Sequence, residues 1–494
     1  MGGGYIQLSA IGEQNAYLTG NPQITFFKSI YRRHTNFSID LCEQIINGDA
    51  NFGEKFNVII SNYGDLLSNI YVDNLLRLSL KDKKKMDKSS IDIVDESEFP
   101  YLSWVNGIGY AILNEYSVNI GQNVIDTQYG EWLDIYNKLS EDVDNNNPAL
   151  SYRQISTNDN KIQILNDELL NKGNLQSLTG AMTSSIPTNH NNLITRTITE
   201  LKFWFCKYYG QAIPLISLNN IDVTINFSYR NLSELINTNI KDLTSIININ
   251  NENKTSVETK IWGEYIFLDS DERRKFNTNV HEYLIEQVQS IQNVLLPSTK
   301  NCNCKINLKN ISNCVKAIFW VPHMRQYTNT SNINKNFQHI KYAENRKTID
   351  ESVKYGNNWF NYSTYYNKEL DTNTQNIYLF KCGQLLLNNE QRTPLLPAMY
   401  FANTQPERYF KTIPFSNYIY TYSFSLYPFE HQPSGTCNFS RFDTITLSLE
   451  NINCNNTASE FCEYSHESNY INIYALSYNI LLIHSGTSQL KYIS

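Results

Sequence analysis

Three groups of residues in this 494-residue chain have side chains that could do chemistry. The first lies in "GNPQITFFKSIYRRHTNFS", Gly20 to Ser38. Lys28, Arg32 and Arg33 would serve as charge-assisted donors to a phosphate, and Phe26 and Phe27 would add the stacking that a single-stranded nucleic acid wants. In a regular strand, however, Phe26 and Lys28 point away from Phe27, which breaks up a common grip. Such clusters are more often structural ion-pair networks than sites, and arginine forks suit a repeated interface because their contacts fix orientation. The expectation is therefore a clamp, with Phe26 and Phe27 anchoring a first strand at "QITFF". The second group is Cys302, Cys304 and Cys314 in "NCNCKINLKNISNC". A structural zinc site takes four ligands, typically in C-x2–4-C pairs. C-x-C is tighter than that and no second pair follows, so no metal is expected. The third is Glu430, His431, Ser434 and Cys437 in "EHQPSGTCNFSRFD". Catalytic triads are assembled in space and not by adjacency, and Pro433 followed by Ser-Gly-Thr reads as a turn entering the strand around Ile445. Neither G-x-S-x-G nor H-E-x-x-H occurs. No catalytic, cofactor-binding or metal residue is assigned.

The elements that would hold these groups are mostly strands. "EKFNVIIS" puts Phe56, Val58 and Ile60 on one face, and "LLRLSL" does the same with Leu76, Leu78 and Leu80. "IDVTINFSYR" aligns Val223, Ile225, Phe227 and Tyr229, and "TITLSL" aligns Ile445, Leu447 and Leu449. This period of two, rich in β-branched and aromatic residues, predicts strands with one buried face. The clearest helix is "DTQYGEWLDIYNKLS", where Tyr129, Trp132, Leu133, Tyr136 and Leu139 have helical spacing after an Asp126 or Thr127 cap. "SDERRKFNTNVHEYLIEQVQ" is a second candidate, more helix-like in its later part. Many strands, few helices and frequent turn residues predict β-sandwiches, and the length predicts two of them.

Composition narrows the function. The net charge is −7, which argues against a general nucleic-acid coat. Aromatic residues make up 13%, with 34 Tyr and 23 Phe, as expected of a globular chain and not a disordered one. No apolar run reaches the ~18 residues of a membrane-spanning helix, and no secretory signal is expected at the N-terminus. "MGGGYI" has the glycine for myristoylation but Ile6 where that motif takes Ser or Thr. Polar stretches at Lys81–Glu98, Ser140–Asn160 and Arg325–Lys347 predict surface loop insertions. A faint repeat links "YRRHTNFSIDLCEQI" with "ERRKFNTNVHEYLIEQV", pairing Arg32/Arg33 with Arg273/Arg274. It suits two copies of one sandwich.

Five segments together carry a family resemblance: "YLTGNPQITFFKSIYRRHTNFS", "YGEWLDIYNKL", "FWFCKYYGQAIPLISL", "YIFLDSDERRKF…HEYLIEQ" and "EHQPSGTCNFSRFD". They span Tyr17 to Asp443, and in that order the chain resembles the major capsid proteins of the nucleocytoplasmic large DNA viruses, as in iridoviruses, chloroviruses and giant viruses of amoebae. The Ser-Gly-Met-Gly-Gly run that usually ends the family pattern is met here only by Ser485-Gly486.

The resemblance implies an all-β fold of two consecutive eight-stranded jelly-roll β-sandwiches, a double jelly roll with a few short helices and long loop insertions. The expected division is an N-terminal arm at 1–23, a first jelly roll at 24–229, a polar linker at 230–259 and a second jelly roll at 260–494. It implies a structural protein and not an enzyme. Three subunits would form a pseudo-hexagonal capsomer that tiles the icosahedral shell of the virion, assembled in the host cytoplasm. Implied partners are neighbouring capsomers, minor capsid or cement proteins, penton proteins and the internal viral membrane surface, with no direct genome contact and no cofactor. The alternatives are a minor capsid paralogue and a lectin-like jelly-roll attachment or spike component. The arm, with Gly2 to Gly4 for conformational freedom and Tyr5, Ile6 and Leu8 for contacts, would order on a partner surface.

The nine cysteines are an odd number in a chain with no expected signal peptide, which fits a reducing compartment better than a disulfide framework. All nine are expected as thiols. Non-reducing mass spectrometry of freshly alkylated particles checks this, and a stoichiometric Cys302–Cys314 disulfide would refute it.

Overall fold

The computed structural model describes residues 3–10, 19, 21–29, 31–79, 102–105, 107–140, 155–156, 192–218, 221–238, 255–297, 302–323, 359–360, 362, 378–410, 419–452, 470–484 and 486–492. The expected loops at 81–98 and 325–347 lie outside these residues, as does most of 140–160. Residues 1–37 and 38–494 form separate compact units.

In the first unit, helix α1 (Gly3–Ser9) ends where the Ala10 N–H and the Ser9 hydroxyl both turn back to the Ile6 carbonyl. Its Tyr5, Ile6 and Leu8 are all exposed. The strand expected at "QITFF" does not form. Phe26 and Phe27 stand in a turn, where the Phe27 N–H donates to Thr25 Oγ1 at 3.3 Å. A strand needs a neighbour for its ladder, and this stretch has none among the described residues.

From Phe37, the last residue of the first unit, onward, the described residues form sixteen principal strands. The first eight are β1 (Phe37–Gln44), β2 (Lys55–Ile59), β3 (Leu66–Ser79), β4 (Leu113–Ile120), β5 (Asn123–Tyr129), β6 (Asn192–Glu200), β7 (Val223–Tyr229) and β8 (Ser256–Leu268). They form two sheets, ordered β1-β8-β3-β6 and β2-β7-β4-β5. The next eight are β9 (His281–Leu295), β10 (Cys302–Asn307), β11 (Cys314–His323), β12 (Phe380–Leu387), β13 (Glu390–Gln391), β14 (Tyr420–Ser423), β15 (Ile445–Ile452) and β16 (Tyr470–His484). Their sheets are β9-β16-β11-β14 and β10-β15-β12-β13. Adding eight to each label of the first sandwich reproduces the second. The faint repeat in the sequence is therefore a duplication of the whole jelly roll. Short two-residue pairs extend the sheets, such as Ile155–Ser156 on β6.

The alternating residues behave as their spacing predicts. Phe56, Val58 and Ile60, Leu76 and Leu78, and Val223, Ile225, Phe227 and Tyr229 are buried in the first core, while Leu80 lies outside the described residues. Phe56 stacks on Phe227 at 5.1 Å, and the ring of Tyr229 stands edge-on to Phe56 at 4.9 Å. Ile445, Leu447 and Leu449 join Trp320, Phe380 and Tyr420 in the second core. The β4–β5 hairpin turns at Gly121, whose φ of +63° is the left-handed geometry such a tight turn requires.

Three expectations need correction. The division between sandwiches was placed at 259/260, but Ser256–Leu268 is a single strand running antiparallel to β3 from Ser256↔Arg77 to Ile266↔Leu66. The first sandwich thus extends to Leu268, and part of the expected linker belongs to it, since Leu235 and Ile236 are in its core. The expected helix at 270–289 is helical only in its first part, α3 (Ser270–Thr278), capped by Asp269. The later part is β9, paired with β16 from His281↔Ile483 to Leu295↔Tyr470. Its Leu284, Ile285 and Val288 fit a helical stripe, but a long partner strand supplies a full ladder and overrides that local preference. Finally, Asp126 and Thr127 do not cap a helix. They lie on β5, and the helix α2 (Gly130–Ser140) starts after it.

Gly130 is what allows that abrupt change from strand to helix. A Cβ here would sit 2.0 Å from the Tyr110 carbonyl oxygen and 2.3 Å from that of Leu113. Both are backbone atoms with no side-chain freedom to yield. Gly130→Ala is expected to lower stability by about 3 kcal/mol, read as a drop in thermal midpoint. An unchanged midpoint would contradict this packing.

Candidate functional site

The site with the most unusual composition is the seam between the two sandwiches. It is built by α2 and β5 of the first against the outer face of β9-β16-β11-β14 of the second. Strand β11 shows how the sequence prepares for it. Ile318 and Trp320 point into the second core, and Ala317, Phe319 and Val321 point to the seam; all five are fully buried. A strand covered on both faces reads as an unbroken apolar run, and "VKAIFWV" is close to one. From α2, Trp132, Ile135 and Leu139 fill the opposing side. Trp132 meets Phe319 edge-on at 5.2 Å and Tyr474 at 5.8 Å.

Among the polar groups that cross this apolar contact, three buried carboxylates stand out. Glu131, buried on α2, accepts from Asn472 Nδ2 at 2.7 Å and from the Tyr474 hydroxyl at 2.6 Å, and pairs with His323. Burial pushes the Glu131 carboxyl up, but His323 and these hydrogen bonds outweigh it and hold it below the usual carboxylate range. Glu286 on β9 is held between two buried lysines. Lys207 comes from the first sandwich at 2.9 Å and Lys316 from β11. Burial again opposes the charge, and the two lysines again win, so Glu286 is lowered. Asp126 on β5 is different. Its carboxylate accepts from the Val288 N–H across the seam at 3.0 Å and from Gln128 Nε2 at 2.7 Å. Burial dominates there, and these bonds and Lys207 offset it only in part, which raises Asp126 to about 7.

The residues singled out in the sequence are scattered by comparison. Phe26 and Phe27 are 88% and 97% exposed in the first unit, with Lys28, Arg32 and Arg33 exposed beside them. Cys302 and Cys304 lie on β10 in one sheet and Cys314 on β11 in the other. The seven described cysteines are free thiols, and Cys454 and Cys462 lie outside the described residues. Glu430, His431 and Ser434 form a turn. Ser434 Oγ accepts from the Tyr427 N–H at 2.9 Å, and Tyr208 packs against the His431 ring at 4.8 Å. The seam's ionic residues escaped sequence reasoning. Their signal was Glu131 and Asp134 on the otherwise apolar "YGEWLDIYNKL", and the lone Lys316 inside an apolar strand.

Two consecutive jelly rolls of identical strand order, sealed along an apolar seam, define a double jelly-roll protein of the kind that builds viral shells. The pattern described as "Major capsid protein N-terminus" matches residues 25–269, and that described as "Large eukaryotic DNA virus major capsid protein" matches 272–488. The major capsid protein of Phaeocystis pouchetii virus is 30% identical over the full length of both chains, as is that of Paramecium bursaria Chlorella virus 1. Among solved structures, the quasi-atomic model of the PBCV-1 virus capsid aligns with a TM-score of 0.65 at 25% identity, covering 95% of this chain and all of that one. The chain belongs to the family of major capsid proteins of large eukaryotic DNA viruses. It is a structural protein of the virion shell.

The seam carries a pH dependence with a definite sign. Asp126 is raised in the folded chain, so its contribution is greatest at low pH. Stability is lost as pH rises from its ordinary value of 3.8 through about 7. Glu131 and Glu286 are lowered, so their contribution is present above 4.5 and lost below it. Asp126→Asn is expected to flatten the fall in thermal midpoint between pH 5 and pH 8, a difference on the order of 2 kcal/mol at the upper end. Parallel midpoint curves for wild type and variant would show that Asp126 does not titrate in this range.

Proposed function

We propose that three copies of the chain close into a ring of six sandwiches, a pseudo-hexagonal capsomer, and that these capsomers tile an icosahedral shell. The observation that carries this reading is the duplication. Two sandwiches of the same strand order in one chain give six nearly equivalent units from three subunits, and closed rings are the usual outcome of head-to-tail contacts whose rotation closes. The similarity to the PBCV-1 capsid structure supports it. The role is structural, with no catalytic step and no cofactor, and the net charge of −7 is consistent with no direct hold on the genome.

The first unit serves as an assembly arm. Tyr5, Ile6, Leu8, Ile24, Phe26, Phe27 and Tyr31 are all exposed. A cluster of exposed large apolar residues marks an interaction site. Its partners are neighbouring capsomers, cement or minor capsid proteins, penton proteins or the internal membrane surface.

Light scattering of the purified protein is expected to give three times the 57.3 kDa chain mass. Deleting Gly2–Ala10 is expected to leave that trimer intact and to reduce shell yield in an assembly assay. A stable monomer at micromolar concentration would overturn the ring. Normal particle yield from the deletion would overturn the arm.

A further inference from the structure

The outer face of the sheet β1-β8-β3-β6 holds an amine, a carboxylate and a carboxamide on one hydrogen-bonded path. Glu200, the last residue of β6, lies opposite Tyr71 of β3. The Leu201 N–H then donates to the Ile70 carbonyl at 3.1 Å, which carries the register one step further and sets Lys202 opposite Asn69. Ile70 and Leu201 belong to the first core, so Asn69, Tyr71, Glu200 and Lys202 all stand on the other face. Residues directly opposite on neighbouring strands have Cβ atoms roughly 5 Å apart.

The Glu200 carboxylate joins the two nitrogens. Its Oε2 takes Lys202 Nζ at 2.5 Å, and its Oε1 accepts from Asn69 Nδ2 at 2.8 Å. Asn69 Nδ2 also donates to the Tyr71 hydroxyl at 3.0 Å, and Asn69 Oδ1 accepts from the Ile70 N–H at 2.8 Å. The carboxamide is thus fixed at both ends. Little water reaches it, since Asn69 is 8% exposed and Lys202 9%.

An ion pair alone needs none of this. A carboxylate that touches an amine and a carboxamide together is placed to move protons from one nitrogen to the other. The N–H on Oδ1 draws electron density from Cγ and stabilises the negative oxygen that forms when a nucleophile attacks there. Glu286 in the seam is a contrast, because both of its oxygens are taken by lysine amines, which are nucleophiles with no leaving group between them.

We propose that Lys202 and Asn69 join in an intramolecular isopeptide bond, with Glu200 as the proton carrier. Glu200 takes a proton from the Lys202 ammonium, and the freed amine attacks Asn69 Cγ. The Nζ–Cγ bond forms and the carbonyl electron pair moves onto Oδ1. That pair then returns as the Cγ–Nδ2 bond breaks. Two of the three Nζ protons pass through Glu200 to Nδ2, which leaves as ammonium. The step consumes no oxidant and no co-reactant. The bond staples β3 to the end of β6 and closes the chain between them, α2 included, into a covalent loop. Such a link restricts the unfolded chain as a disulfide does, and it persists in a reducing compartment where a disulfide does not.

Denaturing mass spectrometry of the purified full-length chain, incubated to constant mass, is expected to give the sequence mass less one ammonia. Its digest is expected to contain a branched peptide joining the Asn69 and Lys202 segments, with no tryptic cleavage after Lys202. Asn69→Ala, Lys202→Arg and Glu200→Gln are each expected to retain their full sequence mass. Glu200→Gln keeps the shape of the site and its hydrogen bonds but cannot carry the proton, and circular dichroism checks that it is folded. A wild type at full sequence mass would overturn the bond, as would an ammonia loss without the branched peptide. The same branched peptide from folded Glu200→Gln would overturn the role of Glu200.

Discussion

A sheet whose two faces are both apolar cannot stand in water on either side. The sheet β9-β16-β11-β14 is in this position, and most of the architecture follows from it. One face is satisfied by the sheet β10-β15-β12-β13, which closes the second core. The other needs a partner from outside the sandwich, and α2 of the first jelly roll supplies it. Burying one large apolar side chain is worth roughly 3 kcal/mol, and Trp132, Ile135, Leu139, Phe319 and Leu476 are buried together here. The two jelly rolls are therefore one folding unit in spite of their duplicated topology, and their relative placement is set by how α2 packs. Gly130 belongs to the same constraint, since it permits the chain to leave β5 and enter α2 close beneath the Tyr110 and Leu113 carbonyls.

The charged groups inside the seam have a different role. Taking a carboxylate and its cation out of water costs as much as their attraction returns, so such pairs add little net stability. What they add is position. Glu131 must meet His323, Asn472 and Tyr474 at once, and Glu286 must lie between Lys207 and Lys316. A slip of α2 along the sheet would leave several of these groups buried and unpaired, which is expensive. An all-apolar seam would tolerate such a slip. For a subunit that must repeat the same geometry many times over a curved lattice, fixed register is worth more than additional stability.

Exposed apolar surface is concentrated where assembly would use it. The first unit, β1 and the residue that follows it account for Tyr5, Ile6, Leu8, Ile24, Phe26, Phe27, Tyr31, Phe37, Ile39, Leu41 and Ile45, half of the large exposed apolar residues described. Scattered exposed apolar residues need no explanation, but a cluster does. The opening basic-aromatic stretch belongs to this cluster, and it has no strand partner among the described residues.

The amino-acid sequence alone was enough for the fold class, most of the strands and the duplication. Strand periodicity is local, and each strand such as Val223–Tyr229 writes its buried face into every second residue. The same locality explains the failures. Helix and strand compete for "HEYLIEQVQ" on nearly equal terms within the segment, and only the distant strand β16 decides between them. The strand expected at "QITFF" fails for the converse reason, since among the described residues it has no neighbour whose ladder it could join. The sandwich boundary moved because Ser256–Leu268 is claimed by β3, some 180 residues earlier in the chain. The seam was beyond sequence reasoning altogether. Glu131 and His323, or Lys207 and Glu286, are far apart in the chain, and nothing local marks them as partners. Their pairing exists only because the folded sandwiches exclude water between them, and it is this desolvation that turns ordinary charged residues into a register-setting network.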